Sequence, residues 1–316
     1  AGKDAGALVG MDPVGVVATQ DADVLLQMDA DCVCYTAAGA DTGAHRLKEC
    51  IDEFCRILES GKNIVTTSVM GLTFPKGFDP ASTERLNAAC KKGQSSLFAS
   101  GIEPGFAGDI FPAALLTMSQ EVKSVRAQEI FNYADYPVAF VMTEVFGFGK
   151  PPEHQAIMEL PGVQASAWAP PVQMVADHLG VTLDRIDETY EKAITDRRLE
   201  VAAGVIEAGT VGAVRFETIG VVDGRPAIVI EHVNRMAEDL APHWPTAGRD
   251  GTYRVLIEGD PDLTCQLEVG RPEDFSDQGM VATTMRIVNA IPHVVAAQPG
   301  LVSSAQLPLT LPHGAL

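Results

Sequence analysis

Three short apolar runs, alternating with helical patterns, constrain the fold of this chain more than any other feature. They are DCVCYT (31–36), NIVTTS (63–68) and SSLFA (95–99), each apolar in its middle and closed by small or polar residues. Runs without polar alternation belong to strands buried on both faces, as in a parallel sheet. Between the first two, Leu47, Cys50, Ile51, Phe54, Ile57 and Leu58 recur at helical spacing until Gly61; between the second and third, Pro80 to Lys92 carries Leu86, Ala89 and Cys90. Strand, helix, strand, helix, strand in this order calls for βαβ units with right-handed crossovers. The expected fold is α/β: a Rossmann-like doubly wound parallel sheet over residues 1–118, preceded by a short strand at Val14 to Ala18 and a short helix at Asp21 to Met28.

The junction after the third run concentrates the candidate chemistry. GIEPGFAGD (101–109) holds three glycines, a proline and two carboxylates between a strand and the helical stretch Ile110 to Met118. Glycine and proline let such a loop turn sharply and approach a ligand, and ligands of open α/β sheets lie beyond the carboxyl ends of the strands. Glu103 is therefore the candidate proton-handling residue.

After Ser119 the pattern changes. Val122 to Ala134 alternates, Val138 to Phe148 reads as a short apolar helix, and Ala165 to Gly180 as a helix that Pro170-Pro171 should start or kink. Strand patterns follow at Leu183 to Ile194, Thr210 to Val222, Ala227 to Val233, Tyr253 to Glu258 and Thr264 to Val269, with Asp223-Gly224 as a hairpin signal. This predicts an α+β domain with a mixed or antiparallel sheet over 119–316, in which a helix at 280–297 packs at the domain interface and the tail beyond Leu301 lies on the surface. The strands read with one apolar face and no evident helical cover for all of it, so a homo-oligomer, a homodimer in the first place, is expected.

A net charge of -19 speaks against nucleic acid and anionic membranes, and no apolar run is long enough to span a bilayer. The six cysteines match neither a zinc ligand set nor a CxxC pair, so no metal site is expected and a cytoplasmic setting fits. Cys32 and Cys34 alternate on one strand and cannot bridge. No strand, GxGxxG turn and helix of a dinucleotide site is present. That absence predicts either that the chain starts inside its coenzyme domain, short of about 30 residues, or that coenzyme binding is impaired.

Five segments in order resemble the dihydrodipicolinate-reductase-like superfamily, in the branch of 2,4-diaminopentanoate dehydrogenase and the native amine dehydrogenases: GKDAG (2–6), DADCVCYTAAGAD (29–41), SGKNIVTTS (60–68), GIEPGFAGD (101–109) and RIVNAIPHVVAAQPGL (286–301). The resemblance implies an oxidoreductase that uses NAD or NADP to reduce an imine or oxidise an amine. Carried over by position, Thr36, Ala37 and Ala38, then Thr67 and Ser68, face the coenzyme, and Ser100 and Gly101 lie near the nicotinamide. Tyr133, Tyr136, Glu144 and His154 are the candidates to line the pocket for a small amine, imine or carbonyl substrate. The run Glu129 to Ala134 lacks the His-His-x-x-Lys of true dihydrodipicolinate reductases, so that activity is not expected. Val69 to Leu72 lacks the glutamate of characterised amine dehydrogenases. Two alternatives remain: a carbonyl or sugar reductase of the glucose-fructose oxidoreductase type, whose catalytic lysine is missing after Thr66, and a non-catalytic sensor keeping the fold.

Overall fold

The computed structural model describes residues 1–37, 44–249, 251–271 and 275–314. The Gly-rich start is organised by Asp4. Its carboxylate caps helix α1 (Ala5–Leu8) through the Gly6 and Ala7 amides and also accepts from Val14 and Gly15, pinning the loop that follows. Gly6 is required there, because a Cβ would stand 2.3 Å from the Asp12 carbonyl. The expected strand at Val14 to Ala18 reduces to a single bridge between Asp4 and Val17: backbone bonds join residues 16–18 to residues 2–5, while Val14 and Gly15 are held by the Asp4 side chain. Helix α2 (Ala22–Gln27) follows, capped by Asp21.

Strands β1 (Cys32–Tyr35), β2 (Asn63–Thr66) and β3 (Ser96–Ala99) are parallel and adjacent in that order. Helix α3 (Ala44–Glu59) presses Cys50, Ile51, Phe54 and Leu58 onto one face, together with α4 (Pro80–Gly93), which Asp79 and Pro80 start and Gln94 ends in a left-handed conformation. Each of these fully buried large side chains contributes about 1.5–3 kcal/mol. Alternate residues face opposite ways: Ile64 and Leu97 meet α3 and α4, whereas Val65 and Phe98 meet the other layer. Both faces are covered, which is why these runs are apolar throughout. The first run departs from expectation. Strand β1 stands at the edge of this sheet and pairs with β2 alone, so Cys34 is exposed.

Past α5 (Ile110–Leu116), a six-stranded mixed sheet is built from β4 (Glu121–Asn132), β5 (Arg185–Ile194), β8 (Val211–Val222), β9 (Arg225–Arg235), β10 (Thr252–Asp260) and β11 (Leu263–Glu268). Its order is β11-β10-β4-β9-β8-β5, antiparallel except for β4 beside β9. A small hairpin, β6 (Leu199–Val201) with β7 (Gly204–Ile206), is inserted before β8 and carries too few residues to show a pattern in sequence. Asp223 and Gly224, both at positive φ, close the β8–β9 hairpin as their order predicts.

Helix α6 (Val163–Leu179) covers one face of this sheet with Ala167, Trp168, Val172, Val175 and Ala176, and runs through Pro170 and Pro171 without stopping. The apolar face expected to be open is therefore closed within the chain. The opposite face is part apolar, with Ile130, Ala213 and Val233 packed under Leu240, Ala241 and Trp244, and part polar: Glu231, buried, accepts from Arg126 (2.6 Å), Arg215 (2.7 Å) and Gln128 (2.7 Å).

The last segment returns to the first sheet. The long helix expected at 280–297 is two helices, α7 (Phe275–Val288) and α8 (Ile291–Val295), because Pro292 starts a new helix after a turn at Asn289-Ala290. Ile287, Ala290 and Val294 pack on Val65 and Phe98, and α7 also lies against the loop carrying Glu103. Gly300–Val302 forms strand β12 parallel to β3, and Val302, Ser303 and Ser304, the first residues of the tail expected on the surface beyond Leu301, are buried. No described helix is long and apolar enough to cross a membrane.

Candidate active site

The carboxyl ends of β1, β2 and β3 bring together the loop residues singled out in sequence. The Ser68 hydroxyl donates to the Ala37 carbonyl (2.6 Å), and the Ser100 amide donates to the Thr66 carbonyl (3.1 Å), so the three loops are tied to one another. Thr36 and Ala37 are exposed, Thr67 is half-buried, and Ser68, Ser100 and Gly101 are buried. Ala38 lies outside the described residues.

Glu103 leaves this edge in a tight loop. The Gly101 and Ile102 carbonyls accept from the Phe106 and Ala107 amides, and Gly105 stands at φ 146°, a conformation that other residues rarely adopt, with the Ser100 hydroxyl 3.2 Å from where a Cβ would lie. Ile102 and Ala107, flanking Glu103, pack against Phe131, Tyr133 and Tyr253 of the six-stranded sheet. Glu103 is thereby carried from one sheet to the face of the other. Its Oε2 reaches the space over Gly108, where a Cβ would lie 3.3 Å away, and its Oε1 is buried without a hydrogen-bond partner. Burial first, then the charges of Glu129 and Asp109, hold its pKa well above the usual carboxylate range; the Trp168 indole acts in the opposite sense. Asp109 itself is spoken for by the Ser304 hydroxyl (2.8 Å) and the Ile110 amide at the start of α5.

The facing sheet supplies residues that motif reading missed. Register sets Tyr253 of β10, Glu129 of β4, His232 of β9, Phe216 of β8 and Tyr190 of β5 in one row across the sheet. Glu129 is buried, and its Oε1 accepts from the Tyr133 hydroxyl (2.8 Å) and the Asn234 amide (3.2 Å). Burial pushes it up to about 7, while Tyr133, Asn234 and Tyr253 hold it back from rising further. His232 is stacked on Phe216 (4.5 Å between centroids, 5° between planes) and edged by Trp168, and burial drives it down to about 3, so it is neutral. Tyr133 and Tyr253 stay protonated, raised well above their usual value by burial and by Glu129.

A signal for these residues was present in the pattern. Val125, Ala127, Glu129 and Phe131 alternate onto the inward face of β4, and Ile228, Ile230, His232 and Asn234 do so on β9. A carboxylate, an imidazole and an amide on otherwise apolar faces mark a buried polar site. Of the pocket residues expected from sequence, Tyr133 meets Glu129 and Tyr136 lies edge-on to Tyr133 (5.4 Å). Glu144 and His154 are not brought to this cluster. Glu144 pairs with Lys150 (2.6 Å), which holds it below the usual carboxylate range, and His154 lies in the following loop with its carbonyl accepting from Lys192 (2.6 Å).

Residues 106–314 match the family described as 2,4-diaminopentanoate dehydrogenase C-terminal domain. The chain belongs to this family. It is 36% identical over 313 residues to an amine dehydrogenase of Streptomyces virginiae, covering 98% of this chain and 86% of the relative. It is 23% identical over 269 residues to the 2,4-diaminopentanoate dehydrogenase of Acetoanaerobium sticklandii, covering 82% and 72%. The structure superposes on an amine dehydrogenase from Mycobacterium smegmatis with a TM-score of 0.75 at 22% identity, over 99% of this chain and 86% of that one. The two-sheet architecture is thus that of the family.

Proposed function

We propose that the cleft between the two sheets is the active site of this amine dehydrogenase family member, with Glu103 as the residue that handles the proton. The chain is an NAD(P)-dependent oxidoreductase acting on a C–N bond, the activity its family carries. When bound, NAD(P)⁺ supplies the acceptor for the hydride that leaves the amine's α-carbon. Thr36, Ala37, Ala38, Thr67, Ser68, Ser100 and Gly101 would hold the coenzyme, with the last two nearest its nicotinamide. The observation that carries the site is the unpaired, buried Oε1 of Glu103, delivered from the coenzyme edge onto the aromatic face of the second sheet.

Oxidation of a primary amine removes a hydride from carbon and a proton from nitrogen. Glu103 takes that N–H proton onto a carboxylate oxygen; in the reverse direction it returns the proton to the imine nitrogen. A carboxyl that burial holds well above its ordinary pKa keeps a transferred proton more readily than an exposed one, which suits its role as the proton carrier. Trp168, Tyr133, Tyr136 and Phe146 exclude bulk water and wall the space for a small substrate. Residues 1–118 would form the coenzyme domain and 119–316 the substrate domain, with α7 between them and β12 returned to the coenzyme sheet. A homo-oligomer belongs to the same proposal, as does a cytoplasmic setting.

The test follows the reduction of NAD⁺ and of NADP⁺ with primary amines, and the reverse reaction of the matching carbonyls with ammonia. Reduced nicotinamide and carbonyl formed in equal amounts support the assignment; turnover of alcohols or sugars but not amines would overturn it.

A further inference from the structure

Four buried polar atoms around the two glutamates lack partners. Besides Glu103 Oε1, they are Asn234 Oδ1, His232 Nδ1 and Trp168 Nε1. Asn234 is fully buried, and its amide nitrogen is committed to Glu129, so its Oδ1 is an acceptor with nothing to accept. A buried group in that state costs about 1–3 kcal/mol. Two acceptors left open beside two carboxylates are complementary to a ligand with several N–H donors and a positive charge. No Lys or Arg among the described residues pairs with Glu103 or Glu129.

We propose that Glu129 is a second catalytic carboxylate, and that with Glu103 and the Asn234 Oδ1 it forms the subsite for the substrate's ammonium group. The proposal deepens the role given to Glu103 above and rests on it. With no ligand present, two buried carboxylates in one site cannot both ionise, so the pair keeps a proton near neutral pH. Entry of an ammonium ion balances the second negative charge and expels that proton to solvent. The bound ammonium then gives one N–H proton to a carboxylate oxygen: the N–H bond breaks, the O–H bond forms, and the neutral amine can lose its hydride to NAD(P)⁺. Other charges bearing on the pair are few. Asp109 acts on Glu103 and is itself raised by burial, which the Ile110 amide, the Ser304 hydroxyl, Arg286 and His178 only partly offset, while Tyr133, Tyr136 and Tyr253 face Glu129 as protonated phenols.

An amine without an α-hydrogen separates binding from turnover. Cumylamine is titrated calorimetrically in buffers of differing ionisation enthalpy, with cumyl alcohol as the neutral isostere. The wild-type chain is expected to release about one proton per amine bound at neutral pH and to prefer amine over alcohol by roughly tenfold or more, as charge-assisted hydrogen bonds require. Glu129→Gln keeps the acceptor for Tyr133 and Asn234 and should lose both the proton release and the preference. Should that variant not fold, Tyr133→Phe removes a donor to the Glu129 carboxylate and should move proton release to higher pH. If Glu129→Gln, or Tyr133→Phe in its place, leaves release and preference as in wild type while Glu103→Gln abolishes turnover, the pair is overturned and the role of Glu103 stands. If Glu103→Gln turns amines over at the wild-type rate, both fall together.

Discussion

Replacing Glu129 by glutamine should stabilise the protein, and only above acidic pH. Folding raises this carboxyl from 4.5 to about 7, mainly by burying it. Below pH 4.5 the folded and unfolded chains both hold the proton, and the group adds no pH-dependent difference. As pH rises towards 7 the unfolded chain ionises first, so the preference for the protonated folded state is lost as an anion has to be buried. The rise to about 7 corresponds to about 3 kcal/mol of stability lost across that window, with no further change above it. Glutamine has the same shape and keeps an acceptor for Tyr133 and Asn234, so it avoids this loss. Urea titrations of wild type and Glu129→Gln at intervals from pH 4.5 to 8.5 read the difference, because contributions of carboxylates that do not interact with Glu129 cancel between the two proteins and leave its own and its coupling to Glu103. The curves should coincide at the acidic end and separate by about 3 kcal/mol at pH 8, or roughly 5 °C in Tm. Parallel curves across the whole range would refute the buried, unbalanced charge on which the site is argued.

Two further outcomes are expected. Glu231→Ala should destabilise the six-stranded sheet by about 3 kcal/mol, because Arg126, Arg215 and Gln128 lose a buried acceptor. Burial pushes Glu231 up, but those partners outweigh it and hold it below the usual carboxylate range, so its contribution is present at neutral pH and lost as pH falls through its folded pKa; denaturation at pH 7 and pH 3 checks both points. Glu144→Ala should leave KM for amines unchanged, since Glu144 is engaged by Lys150 away from the carboxylate cluster; a raised KM would return it to the pocket.

Strands β1, β2 and β3 of the parallel sheet were legible because they are short apolar runs separated by amphipathic helices, two patterns local to the chain. Ser100 and Gly101 lie in the strand-to-helix junction singled out by pattern, whereas Ser68 was placed with them by the family resemblance. Strand β12 could not: it is three residues long, and its partner β3 lies some two hundred residues earlier, so nothing local distinguishes it from a tail. The turn at Asn289-Ala290 was hidden by the apolar character of both flanking helices. Glu103 was found because its loop is a strand-to-helix junction. Glu129 was visible as a charge on an apolar face, but its neighbours Tyr253, His232 and Asn234 come from strands a hundred residues away and meet it only through register. The cover over the apolar face was missed for a related reason. Helix α6 contains Pro170 and Pro171, which read as an interruption, yet Ala167, Trp168, Val172 and Val175 continue one packing face through them.

The central claim is that Glu103 carries the proton in NAD(P)-dependent amine oxidation, and the steady-state kinetics of Glu103→Gln test it most directly. Glutamine preserves shape and removes the exchangeable proton and the charge. The kcat for a primary amine should fall by about 10²-fold or more, with coenzyme affinity, measured by nicotinamide fluorescence, little changed. Turnover within a few-fold of wild type, at unchanged coenzyme affinity, would contradict it.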